Sequence, residues 1–129
     1  MTIIKSYTDL EQSKVLAKIL PLESADMVYI WHATSDNPAF RFDDDMPPMV
    51  LKDVPIDEIT ADTLPCWSLA ALLDVLPFPQ LSKDKLGNGK VGWMISVYPN
   101  DCRYDSCWHD NPVDACVEMI IRLNELNLL

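Results

Sequence analysis

The sequence predicts an α+β fold in which three helices pack against an antiparallel sheet of about four strands. Two capped amphipathic segments, at residues 8–20 and 111–125, and one apolar run, from Pro65 to Pro77, predict the helices. Residues 27–42 and 91–109 lie between them and have the composition of β-hairpins. Helices that alternate with hairpins are typical of an α+β layer fold, and we expect the order helix, hairpin, helix, hairpin, helix.

The length and charge of the chain limit its class. The 129 residues fit one domain, residues 1–129, because single domains commonly have about 100 to 150 residues. Hydrophobic residues make up 49% and charged residues 23%, which excludes a disordered or fibrous chain. The net charge of −10, from 20 acidic and 10 basic residues, disfavours direct binding to nucleic acid or an anionic membrane and favours a basic partner.

The N-terminus and the cysteines predict a cytoplasmic protein. Residues 1–7 contain no basic segment followed by a continuous apolar core, so no secretory signal is predicted. The four cysteines, at positions 66, 102, 107 and 116, form neither a Cys-x-x-Cys motif nor a short disulfide-framework spacing. We therefore expect free thiols in a reducing compartment.

The first helix is predicted from a capping-box pattern in which Thr8 is the N-cap and Glu11 is its reciprocal partner. Apolar residues recur on one face of the segment that follows. Pro21 cannot continue a helix, so we expect this one to end near Leu20.

The first hairpin is predicted over residues 27–42. Residues 27–32 are rich in β-branched and aromatic side chains and apolar on both faces, which predicts a strand covered on both sides. Residues 39–42 alternate as a returning strand does. Residues 43–63 have irregular periodicity, and we expect an acidic loop with one short extended piece at Val50-Leu51.

The central helix is predicted from Pro65 to Pro77, where Ser68 and Asp74 are the only polar residues between the prolines. A helix that is apolar almost all round is buried in a domain. Its roughly 11 residues would rise only about 16 Å, well short of a bilayer. We expect a core helix that begins beside Cys66.

The second hairpin follows a polar loop at residues 82–89. Residues 91–97 place apolar side chains on one face of a strand, and Pro99-Asn100-Asp101 supplies the turn. On the returning strand, alternation divides the side chains into two faces, and the face with Arg103 and Asp105 is the more polar. The face predicted to be drier carries Cys102, Tyr104, Ser106 and Trp108.

The last helix is predicted to start at Asn111, with Pro112 in the first turn. Glu118 and Arg122 have the favourable i, i+4 spacing for an ion pair. An apolar stripe faces the other way and consists of Val113, Cys116, Ile120 and Leu123. The final leucines, Leu126, Leu128 and Leu129, are expected to tuck against the domain or to seal a homodimer.

Residues 7–27, 65–73 and 110–120, 41 of the 129 residues, include the motif Pro65-Cys66-Trp67-Ser68. Together they resemble a group of small uncharacterised bacterial proteins found in gut anaerobes and in prophage or mobile-element settings. That group has no assigned activity or catalytic residues. The resemblance implies a cytoplasmic accessory role.

Cys66 is the candidate nucleophile, because a thiol at a helix N-terminus has a lowered pKa. A Cys-Trp pair that opens a buried helix is similar to the one in papain-like hydrolases, and this likeness implies His109 as base and Asp110 or Asn111 as the orienting residue. No glycine-rich approach to Cys66 exists, and His109 lies only 43 residues on. A small buried thiol that packs under Trp67 is the favoured interpretation.

Metal sites have weaker signals. Cys102, Cys107 and His109, with Cys116, could form a zinc site, but alternation places the first two on opposite strand faces and Cys116 on an apolar helix stripe. His32 is expected to be structural. Residues 43–45, three aspartates, lack the spacing of a calcium loop, and a solvated loop is favoured. We expect neither a metal nor a cofactor.

Three hypotheses about function follow. The first is a non-enzymatic cytoplasmic accessory protein that binds another protein through a basic surface of that partner. The second is an acidic mimic of nucleic acid that blocks a DNA- or RNA-binding enzyme. The third is a cysteine hydrolase that uses Cys66 and His109.

Overall fold

The structure is a computed structural model that describes residues 5–30, 48–50 and 63–129. Within these residues it contains three α-helices and two antiparallel sheets of three strands each, so the predicted α+β class is confirmed. The strand count differs from the prediction, because six strands in two sheets replace one sheet of about four. The elements are α1 (Leu10–Leu16), β1 (Met27–Ile30), β2 (Met49–Val50), β3 (Thr63–Cys66), α2 (Leu69–Val75), β4 (Gln80–Lys85), β5 (Val91–Val97), β6 (Tyr104–Asp105) and α3 (Pro112–Glu125).

Helix α1 has a capping box one residue later than predicted. The carboxylate of Asp9 accepts a hydrogen bond from the main-chain N–H of Gln12 (2.8 Å), and Gln12 Oε1 accepts one from the N–H of Asp9 (3.2 Å). Thr8 is not the N-cap because its hydroxyl accepts a hydrogen bond from the N–H of Trp67 (3.2 Å). The helix ends at Leu16, and a turn with mixed i→i−3 and i→i−4 hydrogen bonds continues the chain to Leu20.

The first sheet has the order β2-β1-β3, and β1 pairs antiparallel with both neighbours. The extended piece expected at Val50-Leu51 corresponds to β2 at Met49–Val50, while Leu51 lies outside the described residues. The predicted returning strand at 39–42, and with it the hairpin over 27–42, also lies outside them.

The predicted helix from Pro65 to Pro77 is wrong at its start. Pro65 and Cys66 belong to β3, and α2 begins at Leu69 after the N-cap Ser68, whose Oγ accepts a hydrogen bond from the N–H of Ala71 (3.2 Å). Proline is compatible with an edge strand, where a ladder N–H is not needed. The segment predicted to be a buried core helix is also only partly buried. Trp67 and Leu72 are fully buried, but Ala70 and Asp74 are exposed.

The second sheet has the order β4-β5-β6. Residues 82–89, predicted as a polar loop, instead contribute to β4 and to the turn that follows it, where Gly89 has a φ of 83° that favours glycine. The charged residues that suggested a loop are typical of an edge strand. In β5 the expected apolar face is buried at Ile95 and Val97, but Val91 is exposed.

The predicted hairpin between β5 and β6 is present, with a 3-10 turn at Pro99–Asp101. The N–H of Ser106 donates to Ile95 O (2.9 Å), and His109 and Trp93 exchange two main-chain hydrogen bonds (2.7 and 2.8 Å). Two residues of the returning segment, Cys107 and Trp108, therefore oppose one residue of β5. This is a β-bulge, which shifts the alternation of the segment after Ser106.

Helix α3 agrees with the prediction at both the cap and the apolar stripe. Asn111 is the N-cap, Pro112 is the first helical residue, and the stripe is fully buried. The main core lies between α1, α2, α3 and β5 and includes Leu16, Leu20, Trp67, Leu72, Leu76, Ile95, Val97, Val113, Cys116, Met119, Ile120 and Leu123. Among the described residues, no helix is long and apolar enough to cross a bilayer.

Candidate functional site

Cys66 lies at the end of β3 with no exposed surface. Its Sγ is 3.5 Å from Thr8 Oγ1 and donates to the main-chain oxygen of Thr8 (3.4 Å). It packs with Leu10 and Tyr29 in a small second cluster. Burial raises the pKa of this thiol above its ordinary value, although nearby hydroxyl groups partly oppose the effect. Cys66 is therefore held as a neutral thiol, and it does not begin a helix.

His109 lies on the other sheet, where its ring contacts α3. Its Nε2 is 3.0 Å from Glu118 Oε1, and the second oxygen of Glu118 accepts from Arg122 Nη2 (3.0 Å). Burial alone would raise the pKa of Glu118, but hydrogen bonds from His109 and from the N–H of Cys107, together with the charge of Arg122, lower it. Among the described residues, His109 and Cys66 share no hydrogen bond.

The two residues expected to orient His109 are also placed differently. Asp110 is exposed. Asn111 caps α3, since its Oδ1 accepts from the N–H of Asp114 (2.9 Å) and its Nδ2 donates to Asp114 Oδ2 (2.8 Å). The structure thus does not bring together a nucleophile, a base and an orienting group, which catalysis by a cysteine hydrolase requires.

The candidate zinc ligands are dispersed. Cys102 and Cys107 are exposed free thiols, whereas Cys116 is fully buried in the α3 stripe, where burial raises its pKa to about 12. In the part of the chain that the structure describes, no group of three or more His, Cys, Asp or Glu side chains is arranged to hold a metal. His32 and residues 43–45 lie outside that part.

Phe78 is a surface residue that the sequence analysis missed. It is 79% exposed, the highest value among the large hydrophobic side chains of the described residues. Its φ of 49° lies in the left-handed region, which is unusual for an aromatic residue. The sequence contained a partial signal, because the prolines at 77 and 79 restrict the backbone on either side of this aromatic residue.

A second loop, at residues 98–101, lies beside Phe78. The N–H of Tyr98 donates to Pro77 O (3.0 Å), and the Tyr98 hydroxyl is 3.3 Å from Gln80 Oε1. Asn100 and Asp101 in this loop have φ values of 53° and 64°. We call residues 77–80 and 98–101 the Phe78 loop pair.

Several of the described acidic side chains are paired with basic residues. Asp9 and Asp114 bind Lys5 (3.0 and 2.9 Å), Asp105 binds Arg103 (2.8 Å) and Glu118 binds Arg122. Asp74 and Asp101 are exposed and have no ion pair with another described residue. The unpaired charge therefore includes positions next to the Phe78 loop pair and within it.

No protein-family model, curated protein sequence or solved structure matches the chain.

Proposed function

We propose that the chain is a non-enzymatic accessory protein that acts by binding a second protein through a basic surface of that partner. The observation that carries this proposal is that the candidate catalytic side chains are buried or bonded to neighbouring side chains. Cys66 and Cys116 are fully buried, and His109 is bonded to Glu118. Besides the thiols of Cys102 and Cys107, the described surface presents charged and apolar groups, which suit recognition better than bond-making.

The charge of the chain supports a basic partner. Residues 31–62 contain eight acidic and two basic residues, which gives −6 of the total −10. An acidic protein attracts a basic surface and repels nucleic acid and anionic lipid. The four thiols without disulfides, together with the resemblance to prophage and mobile-element proteins, support a cytoplasmic accessory role in that setting.

The nucleic-acid mimic is less well supported. Such a mimic presents carboxylates in two rows at phosphate-like spacing, with one charge per about 3.4 Å of helix axis on each strand. The described carboxylates instead occur on helices, hairpins and loops, and Asp9, Asp105, Asp114 and Glu118 are neutralised by basic neighbours. Inhibition of a nucleic-acid-binding enzyme by the purified chain would restore this alternative.

Affinity capture tests the proposal. The full chain, tagged and incubated with lysate of its native host, should retain a basic protein that is identified by mass spectrometry. Binding should weaken as salt rises above about 0.15 M, because exposed charges are screened there within about 8 Å. An unrelated protein of equal net charge is the control. Equal retention by the control, or no retained protein, would contradict the proposal.

Thiol labelling tests the hydrolase alternative. In the folded protein at neutral pH, iodoacetamide should modify Cys102 and Cys107 and leave Cys66 and Cys116 unmodified, because the first two are exposed and the others are buried. Intact mass should show two labels on the native chain and four in denaturant. Rapid labelling of Cys66 in a chain that stays folded would support the hydrolase instead.

A further inference from the structure

We infer that Phe78 is the anchor of the binding site and that its ring inserts into an apolar pocket bordered by basic residues on the partner protein. This inference rests on the proposed function and names the residue and the partner chemistry that the proposal left open. It has three supports: the exposure of the ring, the conformation of the loop pair, and the charges around it.

The exposure of Phe78 indicates a contact that the chain itself does not make. With 79% of its surface exposed, the side chain gains little from packing within the domain. Aromatic residues are enriched at protein interfaces, where a few such anchors supply most of the binding energy. Isolated exposed apolar residues are common, so exposure alone does not distinguish Phe78 from Leu22, which is 61% exposed.

The backbone conformation distinguishes Phe78 from Leu22. Phe78 has a φ of 49°, and three of the four non-glycine residues with positive φ in the described ranges lie in the Phe78 loop pair. Glycine or asparagine would adopt this conformation more readily and would expose less apolar surface. The fold alone therefore gives no reason for phenylalanine here, and a residue that is unfavourable for folding yet fixed in place is typical of functional sites.

The same geometry prepares the ring for binding. Pro77 and Pro79 fix the φ angles on either side, and the hydrogen bond from Tyr98 to Pro77 O (3.0 Å) holds the two loops together. A ring presented on a rigid loop loses less conformational entropy on binding than one on a free chain. The loop pair is therefore preorganised.

The charges around the ring indicate the chemistry of the partner surface that would fit it. The Phe78 loop pair contains no Lys or Arg, and its Asp101 is exposed, as is Asp74 in the last turn of α2. Arg103, two residues after the loop at 98–101, is bound to Asp105 (2.8 Å), and Lys83, three residues after the loop at 77–80, lies over the Trp93 ring, 5.1 Å from its centroid. A pocket bordered by Lys or Arg complements this surface, whereas a second copy of the chain would bring the same acidic residues to it.

Photo-crosslinking tests the inference in the full chain. Phe78 is replaced by photoreactive p-benzoyl-phenylalanine, and the matched control carries the same group at Leu22. In native cells, position 78 should crosslink to a protein with a basic surface and position 22 should not. The captured protein is then purified and its affinity is measured for wild type, Phe78→Asn, Leu22→Asn and Asp101→Asn.

The expected result is a roughly 30-fold or greater loss of affinity for Phe78→Asn, as for loss of a central anchor, and a change within about twofold for Leu22→Asn. Phe78→Asn should unfold at a temperature no lower than wild type, because asparagine suits a positive φ. Asp101→Asn, which also suits its φ of 64°, should weaken binding and reduce its salt dependence.

Three results would contradict the inference that Phe78 anchors the binding site. They are a crosslink from position 78 to a second copy, a partner that binds Phe78→Asn as tightly as wild type, and an affinity that does not change with Asp101→Asn. In each case affinity capture by the unmodified chain would still support the proposed function. If the unmodified chain captures no protein, both the anchor and the proposed function fail.

Discussion

Thr8 connects the segment before α1 to β1 and to the junction between β3 and α2. Its side chain is fully buried, and Oγ1 is bonded to Ser13 Oγ (2.8 Å) and to the N–H of Trp67 (3.2 Å). Its main-chain N–H donates to Trp67 O (2.9 Å), and its oxygen accepts from the Tyr29 hydroxyl (2.7 Å). One residue thus satisfies polar groups from several segments in a region that water does not reach.

Thr8→Val is expected to destabilise the protein. Valine has nearly the same shape but leaves the N–H of Trp67 without its side-chain acceptor and removes one partner of the Ser13 hydroxyl, and a buried unsatisfied group costs about 1 to 3 kcal/mol. The free energy of unfolding, measured in urea, should fall by that amount. Thr8→Ser keeps the hydroxyl and is the control.

A Thr8→Val variant as stable as wild type would show that the bonds at Oγ1 contribute little. A loss in Thr8→Ser equal to that in Thr8→Val would assign the effect to the missing methyl group and its packing.

At the scale of elements, side chains of α3 form hydrogen bonds with main-chain groups on the outer edge of β6 and of the residues just after it. Arg122 Nη1 donates to the main-chain oxygen of Asp105 (2.6 Å), and both oxygens of Glu118 lie 3.2 Å from the N–H of Cys107. Residues two apart on a strand point their backbone groups to the same edge. An i, i+4 pair on a helix therefore binds backbone groups that another strand would otherwise reach, which protects the edge from strand addition.

The lowered pKa of Glu118 predicts a pH dependence. A carboxyl whose pKa falls on folding stabilises the folded state above its ordinary value of 4.5, and that contribution is lost as the pH falls through the folded pKa. Wild type should therefore lose more free energy of unfolding between about pH 6 and pH 3 than Glu118→Gln, which cannot titrate at this position.

The comparison with Glu118→Gln separates this group from Asp105 and Asp114, whose pKa values are also lowered and which titrate in both proteins. Parallel stability curves for the two proteins would show that the contacts of Glu118 with His109 and Arg122 do not depend on its charge.

Elements with local signals were predicted well from the sequence. The start of α3 follows from Asn111 and Pro112, whose capping roles need only neighbouring residues. The strand at Pro65 and Cys66 was missed because a short apolar run fits either a buried strand or a buried helix, and only its pairing with β1 decides between them. β4 was missed because a charged edge strand resembles a loop.

The candidate site was less predictable than the fold. The position of Cys66 depends on the long-range contacts of Thr8, which no local pattern contains. The β-bulge at Cys107 and Trp108 similarly follows from pairing between distant residues and shifts the side-chain alternation predicted for the returning strand. Phe78 had a local signal in its two prolines, but its exposure and its φ could be known only from the fold.

At the scale of the whole molecule, Lys5 joins α1 to α3. Its Nζ lies 3.0 Å from Asp9 Oδ2, 2.6 Å from Gln12 Oε1 and 2.9 Å from Asp114 Oδ1. Burial opposes ionisation of Asp114, but hydrogen bonds from Lys5, Gln12 and Asn111 hold its pKa below the ordinary value. Gln12 Nε2 also donates to Asp114 Oδ1 (2.7 Å), and Leu16 at the end of α1 packs in the main core, whereas Leu10 at its start lies in the smaller cluster with Tyr29 and Cys66.

Lys5→Met is therefore expected to loosen α1 selectively. Loss of a charge-assisted bond of about 1.5 kcal/mol corresponds to roughly tenfold faster amide exchange through opening of the element it holds. Hydrogen exchange measured by mass spectrometry should show this acceleration in Leu10–Leu16, while α3 amides keep the slowest exchange because their stripe is fully buried. Lys14→Met is the matched control, since Lys14 makes only an exposed pair with Glu11 (3.6 Å) and such pairs contribute about 0 to 1 kcal/mol. Equal acceleration in α1 and α3 would mean that the two open as one unit and that Lys5 stabilises the whole fold; no acceleration in either would mean that the Lys5 contacts do not hold α1 in place.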